Sequence, residues 1–290
     1  MKTYLKAIII ATLSTNVFMS GAQNATELYS SAKNAYDSVD YVQSADLAKR
    51  SAALNNQDAM ILLGDMYLNG YGIPQPDPRE ALLWYNKAAE QNNSKAQYLI
   101  GTMYYEGHGV NQSYQEAIKW YEKAGNGGNI EAQSELGLMY YRGKWVEKSY
   151  EQALKWFTMA AEQNDARSMS YLGGMYNSRN MGVQTNTVKA AEYWKKSAEL
   201  GYPDAEFYLG QMYIAGRGGI TQSNDTAMIW INKAAVDGCS NAQYYLGEVA
   251  LSKGNTEKAL EWYGKAAAKG HRKAQQKMDQ INGSSESSPQ

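Results

Sequence analysis

The sequence is poor in cysteine, histidine, proline and phenylalanine, and each shortage excludes a class of protein. Its 290 residues include one cysteine, two histidines, five prolines and three phenylalanines. A lone Cys239 cannot form an internal disulfide, which excludes a disulfide-stapled scaffold. His108 and His271 are too few to build a zinc centre with it. We therefore expect no metal, no cofactor and no catalytic residues, and a fold stabilised by packing.

Long apolar runs are also missing, except for a short one at the N-terminus. Lys2 and Lys6 precede an apolar stretch over residues 7–13, and small residues lead up to Ala22. This layout is typical of a signal peptide, and the run is too short to span a bilayer of about 30 Å. The sequence predicts a signal peptide over residues 1–22, cleavage after Ala22 and a periplasmic or secreted chain with no integral membrane segment.

Neither sign of charge dominates. Lysine and arginine number 28 against 29 aspartates and glutamates, a formal net charge of −1. Without a basic excess, the composition gives no electrostatic reason to expect nucleic acid as a partner. What is abundant is tyrosine, at 24 residues, and methionine, at 13.

An internal repeat accounts for that composition. A glycine, usually preceded by leucine and followed three residues later by tyrosine, recurs every 36 or 37 residues at Gly64, Gly101, Gly137, Gly173, Gly210 and Gly247. A second block contains an aromatic pair or tryptophan–isoleucine at Trp84-Tyr85, Trp120-Tyr121, Trp156-Phe157, Tyr193-Trp194, Trp230-Ile231 and Trp262-Tyr263. Self-similarity at this period indicates stacked helix pairs.

Helical periodicity assigns a core to each pair. Alanine, leucine, glycine and tyrosine of the first block share one side of a helix turning 100° per residue. The methionines Met66, Met103, Met139, Met175 and Met212 fall on the same side, and we predict that they fill the seam between helices. Since a tryptophan also recurs in every copy, we predict that Trp84, Trp120, Trp156, Trp194, Trp230 and Trp262 are core residues.

These motifs resemble the Sel-one-like repeat family, which is related to tetratricopeptide repeats. The resemblance lies in the Ala-x-x-x-Leu-Gly-x-x-Tyr block, the Gly107–Gly109 loop and the Ala-x-x-Trp-Tyr-x-Lys-Ala-Ala block at 81–89, and it covers about residues 58–270. The loops at 142–145, 178–182 and 252–255 depart from the pattern. We expect an all-α, right-handed superhelical solenoid of antiparallel helix pairs, with about six repeats between degenerate caps.

The predicted boundaries follow the repeat. After the signal peptide, residues 23–57 form a degenerate N-terminal capping helix pair. The six repeats span approximately 58–93, 95–129, 131–165, 167–202, 204–239 and 241–270. Residues 271–282 form a C-terminal capping helix, since solenoid ends need polar caps. The serine-rich residues 283–290 are predicted to be a disordered tail.

The face of each first helix opposite the predicted core is the candidate partner-binding face. In tetratricopeptide relatives the corresponding face lines a concave groove, so the resemblance implies the same role here. Its residues are Tyr98, Thr102, Tyr105, Glu106, Leu138, Tyr141, Arg142, Phe207, Gln211, Ile214, Tyr244, Glu248 and Leu251. Aromatic and charged side chains together are what protein interfaces enrich.

The sequence therefore predicts a non-catalytic protein-binding scaffold in the cell envelope. The resemblance adds one concrete form, an immunity protein that neutralises a secreted effector. An envelope protein that binds peptidoglycan or another glycan on the tyrosine-rich face is an alternative. A β-lactam-hydrolysing enzyme is a further one, but such relatives carry paired cysteines in each repeat and this chain has only Cys239.

Overall fold

A computed structural model describes residues 24–286, and it consists of helices joined by short turns, with no strand in that range. The helices are α1 (residues 24–37), α2 (Tyr41–Ala53), α3 (Gln57–Asn69), α4 (Pro78–Ala89), α5 (Ser94–Glu106), α6 (Tyr114–Asn126), α7 (Ile130–Arg142), α8 (Tyr150–Glu162), α9 (Ala166–Asn177), α10 (Thr187–Glu199), α11 (Pro203–Ala215), α12 (Asn224–Val236), α13 (Ser240–Ser252), α14 (Thr256–Ala268) and α15 (Arg272–Glu286). The predicted signal peptide and its cleavage site lie outside this range.

The predicted all-α repeat solenoid of antiparallel helix pairs is confirmed. Helices α3, α5, α7, α9, α11 and α13 are the first helices of the six copies, and α4, α6, α8, α10, α12 and α14 are the second helices. Within a copy, α3 packs on α4, α5 on α6, α9 on α10, α11 on α12 and α13 on α14. The chain divides into two compact units between residues 136 and 137, a division that falls inside α7.

Capping residues set the helix ends. The Asn93 side chain accepts a hydrogen bond from the Ala96 amide at 3.0 Å and begins α5, and Ser113 does the same for Glu116 at the start of α6. Such caps satisfy amides that have no partner inside the helix. At the other end of α5, Gly107 adopts a φ of 78°, which glycine tolerates and which reverses the chain.

The two helices of each copy come closest at the repeat glycine, where a large side chain of the second helix packs directly on the glycine; we call this contact the seat and that side chain the seated residue. The repeat glycines of the first helices lie directly under one side chain of the second helix: Tyr85, Tyr121, Phe157, Trp194, Ile231 or Tyr263. A Cβ added to any of these glycines would stand 2.2–2.6 Å from that side chain. Cβ atoms in proteins essentially never approach other heavy atoms this closely. The repeat therefore requires glycine here so that the helices can come close together, and not for a special backbone conformation.

The tryptophan prediction holds only in part for four copies, where the indole packs against the core without being fully buried. Trp84, Trp120, Trp230 and Trp262 are only half-buried, whereas the next residue in the chain is buried on the glycine. Neighbouring helix positions point 100° apart, so only one of the two can face the first helix. Lysines lie over three of these indoles, those of Trp84, Trp120 and Trp262, as with Lys87, whose Nζ lies 3.8 Å from the Trp84 ring centre.

In the other two copies the tryptophan is buried. Trp194 occupies the seat itself, because the aromatic order is exchanged in Tyr193-Trp194, and Trp156 is 3% exposed beside the seated Phe157. The methionine prediction is confirmed in every copy where it was made. Met66, Met103, Met139, Met175 and Met212 are all buried.

The chain also packs helices outside the six copies. At the N-terminal end, α2 packs on α3, and serine side chains tie α2 to α1: Ser44 Oγ donates to the Ala32 carbonyl at 2.8 Å, and Ser51 Oγ donates to that of Ala25 at 2.6 Å. At the other end, α15 packs on α14 through the buried Ala274. None of the helices in the described range is both long and apolar enough to cross a membrane.

Buried glutamines make a second recurring contact, between one copy and the next. The side chains of Gln97, Gln133 and Gln243 donate from Nε2 to the carbonyl of the residue eight positions earlier, at 3.5, 2.8 and 2.8 Å. The fifth copy has Glu206 at this position, fully buried. Its Oε1 accepts from Lys233, but its Oε2 has no hydrogen-bond partner among the described residues.

Adjacent glycines of α9 provide a test of the seat. In Gly173→Ala the added methyl would meet the Trp194 ring at 2.5 Å, whereas in Gly174→Ala it would meet no atom within 4 Å. We expect Gly173→Ala to destabilise the fold by about 1–3 kcal/mol through overpacking. Gly174→Ala should stabilise it by up to about 1 kcal/mol through helix propensity. Urea denaturation measures both, and equal losses in the two variants would contradict the seat.

Glu206→Gln tests the buried carboxylate. Burial raises the pKa of Glu206 above its ordinary value, although Lys233 opposes the shift. The folded state therefore penalises the ionised form, and this penalty is present at pH 7 and disappears as the pH falls below about 4, the range of unfolded glutamate.

We expect Glu206→Gln to stabilise the protein by about 1–2 kcal/mol at pH 7, because the amide can donate where the carboxylate cannot. The gain over wild type should shrink between pH 7 and pH 4 in thermal melts. Lys233 keeps Asp237 as a partner at 3.0 Å in either case. A gain that grows towards acid pH would contradict this assignment.

Candidate partner-binding face

The predicted partner-binding residues lie on first helices, and none of them is buried. Helix α5 carries Tyr98, Thr102, Tyr105 and Glu106; α7 carries Leu138, Tyr141 and Arg142; α11 carries Phe207, Gln211 and Ile214; α13 carries Tyr244, Glu248 and Leu251. Glu106 and Arg142 are exposed and the other eleven are half-buried. Whether a partner contacts them stays a prediction.

On α5, the seat of the second copy supports the face. The Tyr98 ring stacks on the seated Tyr121 with centroids 5.5 Å apart, and Thr102 Oγ1 lies 3.4 Å from the Tyr121 hydroxyl. Burial is the main cause that raises the pKa of Tyr121 well above its usual range, so this hydroxyl stays protonated. Tyr105 meets Tyr114 edge to face at 5.3 Å. These rings are held in place before any partner arrives.

On α7, Tyr141 belongs to an aromatic cluster. Its ring contacts Tyr150 at 5.7 Å and Tyr171 at 5.2 Å, both edge to face, and its hydroxyl donates to Met181 Sδ at 3.6 Å. The next residue, Arg142, reaches the same cluster with Nη2 at 3.4 Å from the Tyr171 hydroxyl. Tyr141 is therefore partly structural, while Arg142 is open to solvent.

On α11 and α13, several of the predicted residues already have partners within the chain. Glu248 accepts from the Tyr263 hydroxyl and pairs with Lys277 at 3.3 Å. Although burial raises the pKa of Glu248, the hydrogen bonds from Tyr263 and Lys277 outweigh it and lower that pKa overall. Tyr244 stacks on His271 at 4.6 Å, and Phe207 contacts Tyr208 at 5.7 Å. We infer that Glu248 contributes less to binding than its charge suggests.

One cavity interrupts the face, and it is not among the features predicted from the sequence. It has a volume of 310 Å³ and lies over α9, and we call it the α9 pocket. Of the predicted residues only Tyr141 lines it. The remaining lining includes Tyr171, Trp194, Tyr202, Asp204 and Tyr208. A signal for it was present in the sequence, because the fourth copy has Gly174 where every other copy carries a side chain, and Ser170 where four of the other five carry a larger one.

Larger clefts on the second helices follow from the repeat itself. They have volumes of 460, 740 and 550 Å³ and are lined by equivalent aromatic–lysine pairs, Trp84 with Lys87, Trp120 with Lys123, and Tyr193 with Lys196. Because similar clefts recur from copy to copy, we attribute them to helix spacing rather than to a dedicated ligand.

Within residues 24–286 the metal-ligating side chains do not cluster, and the single thiol is buried. No three histidine, cysteine, aspartate or glutamate side chains in this range converge as metal ligands would. Cys239 is buried, and burial together with the hydrogen bond to Asp204 raises the pKa of its thiol to about 12. A thiol with such a pKa is a poor nucleophile near neutral pH. His108 is exposed beside Glu106 at 3.1 Å.

Comparison with known proteins gives one family match and several solved structures. The Sel1 repeat model matches six times, over residues 57–93, 94–129, 130–165, 166–202, 203–238 and 240–271. A protective antigen of uropathogenic Escherichia coli with an SLR fold is 32% identical over 93% of this chain, with a TM-score of 0.74. The chain spans only 58% of the length of that antigen. No curated protein matches the chain.

Two further structures illustrate the range of similarity. A Sel1 repeat protein from Oxalobacter formigenes is 30% identical, with 82% of this chain and 96% of that one covered and a TM-score of 0.73. An immunity protein from Pseudomonas aeruginosa is 22% identical, with 73% and 81% covered and a TM-score of 0.44.

Proposed function

We propose that this chain is a non-catalytic scaffold that binds a partner protein. The premise is its family: the chain belongs to the Sel1 repeat family, as its motifs predicted. In each unit the partner contacts the exposed side of the first helices that carry the predicted residues named above. Proteins of this family are in general interaction scaffolds. The particular partner and the exclusion of catalysis are our inferences.

The observation that carries this proposal is the support beneath the aromatic side chains of the face. Tyr98 rests on Tyr121, and Tyr244 lies 5.7 Å from Tyr263, so a seated side chain backs a half-exposed ring in each case. Tyrosine is enriched among the residues that dominate binding energy in interfaces. A ring fixed in advance also loses little conformational entropy when a partner covers it, which favours affinity.

Export to the cell envelope is the second part of the proposal, and it rests on the sequence of residues 1–22. A basic start, a short apolar run and small residues before Gln23 support cleavage after Ala22. N-terminal sequencing of the chain expressed with its native start in a Gram-negative bacterium checks this. We expect the periplasmic fraction to contain protein beginning at Gln23, and a chain retaining Met1 in the cytoplasm would contradict it.

An immunity function is the most concrete form of the scaffold. Its support is the resemblance of the repeats to a family in which such proteins occur. Under this proposal the partner is a secreted effector whose toxicity the complex suppresses. The identity of the captured partner decides between this form and a role in envelope assembly.

A capture experiment with matched variants tests the face. The immobilised chain is exposed to envelope and culture proteins of its source, and bound proteins are identified by mass spectrometry. Glu106→Lys and Arg142→Glu reverse exposed charges on the face without removing the packing that Tyr141 provides. Leu83→Glu and Ile229→Glu are the controls, since these side chains are 55% and 67% exposed on second helices.

We expect one stoichiometric partner that the wild type and the two controls retain and the charge-reversed variants lose by about tenfold or more. Equal retention by all variants would show that the partner binds elsewhere. Recovery of no protein, with retention of the chain on purified cell wall, would replace the scaffold with glycan binding.

A further inference from the structure

We propose that the α9 pocket receives a cationic side chain, an arginine or a lysine, presented by the partner. This inference rests on the proposed scaffold function and assigns a specificity-determining position to it. Five aromatic rings and one carboxylate line the pocket, which is the composition that recognises organic cations.

The pocket exists because two side chains of the fourth copy are small. One residue after the repeat glycine, the fourth copy has Gly174, where others have Thr102, Leu138, Gln211 or Glu248. Three residues before that glycine it has Ser170, where Tyr98, Phe207 and Tyr244 stand in other copies; the third copy also has a serine here, Ser134, so Gly174 is what sets the fourth copy apart. A Cβ built on Gly174 would meet no atom within 4 Å, so this position opens directly into free space.

The walls are rigid because they are continuous with the core. Trp194 is seated on Gly173, its indole nitrogen donates to the Ser170 carbonyl at 3.1 Å, and Tyr208 stacks on it at 5.0 Å. On the other side, Tyr171 stacks on the buried Phe157 at 4.9 Å with nearly parallel rings. A cation entering between these rings meets faces and hydroxyls that need not rearrange.

The charge in the pocket is negative. Asp204 lies in the first turn of α11, and its Oδ1 accepts from the Cys239 thiol at 3.0 Å, a neutral donor. Burial and then the charge of Asp204 raise the pKa of Tyr202 to about 12, and the same two causes raise that of Tyr208. Both phenols therefore stay neutral and lie within the field of the carboxylate. A carboxylate among neutral rings favours a cation over a neutral or an anionic group.

The volume of the α9 pocket and the contact of Arg142 with Tyr171 also favour a cationic side chain as the ligand. At 310 Å³ the pocket is near the lower end of the roughly 300–1,000 Å³ of ligand sites, which suits one long side chain rather than a peptide segment. Arg142 shows how a guanidinium approaches the cluster, since its Nη2 meets the Tyr171 hydroxyl from solvent at 3.4 Å. Arg142 does not line the pocket, and it competes with an incoming cation for this ring.

Capped amino acids test the pocket without the partner. N-acetyl-arginine amide is titrated into the full chain while the indole N–H resonance of Trp194, assigned with Trp194→Phe, is followed by NMR. N-acetyl-citrulline amide has nearly the same shape without the charge. We expect arginine amide to bind with a dissociation constant of roughly millimolar order and citrulline amide about tenfold more weakly.

Three variants locate the site. Gly174→Leu fills the cavity and should abolish the shift, and a urea melt checks that the fold is kept. Asp204→Asn retains an acceptor for the Cys239 thiol and should weaken arginine amide at least fivefold while leaving citrulline amide unchanged. Arg142→Ala removes the competing guanidinium and should strengthen binding.

Three results would each overturn the inference: no response to arginine amide, equal affinities for arginine and citrulline amides, or unchanged binding by folded Gly174→Leu. If the partner is captured but the pocket fails these tests, the scaffold proposal stands alone. If arginine amide binds but no protein partner is captured, the scaffold proposal fails, and the pocket instead serves a small free cation.

Discussion

The close approach of the two helices in each copy, made possible by a glycine under a large side chain, is the contact on which the rest of the molecule depends. The seated residue fills the space that a methyl group on the first helix would otherwise occupy. This contact fixes how the first helix is rotated about its own axis. It therefore determines which residues of the first helix are buried with the methionines and which are exposed on the opposite side of that helix.

The exposure of the proposed partner-binding face thus follows from the packing of the core. Tyr121 is both a seated residue and the support for Tyr98, and Trp194 is both seated and a wall of the α9 pocket. The same side chains that stabilise a copy orient its exposed aromatics. Consequently, the core and the proposed binding face share side chains, and a substitution at a seated ring is expected to affect both.

Much of this organisation could be predicted from the sequence, since a fixed period places alanine, leucine, glycine and tyrosine on one side of each first helix. The choice between two adjacent aromatics could not be made, because each of Trp84 and Tyr85 fits a buried position by composition alone. The α9 pocket escaped prediction for a different reason. It depends on what Ser170 and Gly174 lack and on rings from neighbouring helices, whose spacing only the fold supplies.

No atom lies within 4 Å of the place where a Gly174 side chain would begin, so substitutions at this position can reshape the surface. At this position a side chain can be lost or gained without disturbing the helix contacts, because the adjacent Gly173 alone bears the steric constraint. The equivalent positions of two other copies are less free, since Thr102 lies 3.4 Å from the Tyr121 hydroxyl and Glu248 accepts from that of Tyr263. A chain built this way can acquire or erase a recess in one copy by a single substitution and leave the remaining copies unaltered, so its binding preferences can change in small independent steps.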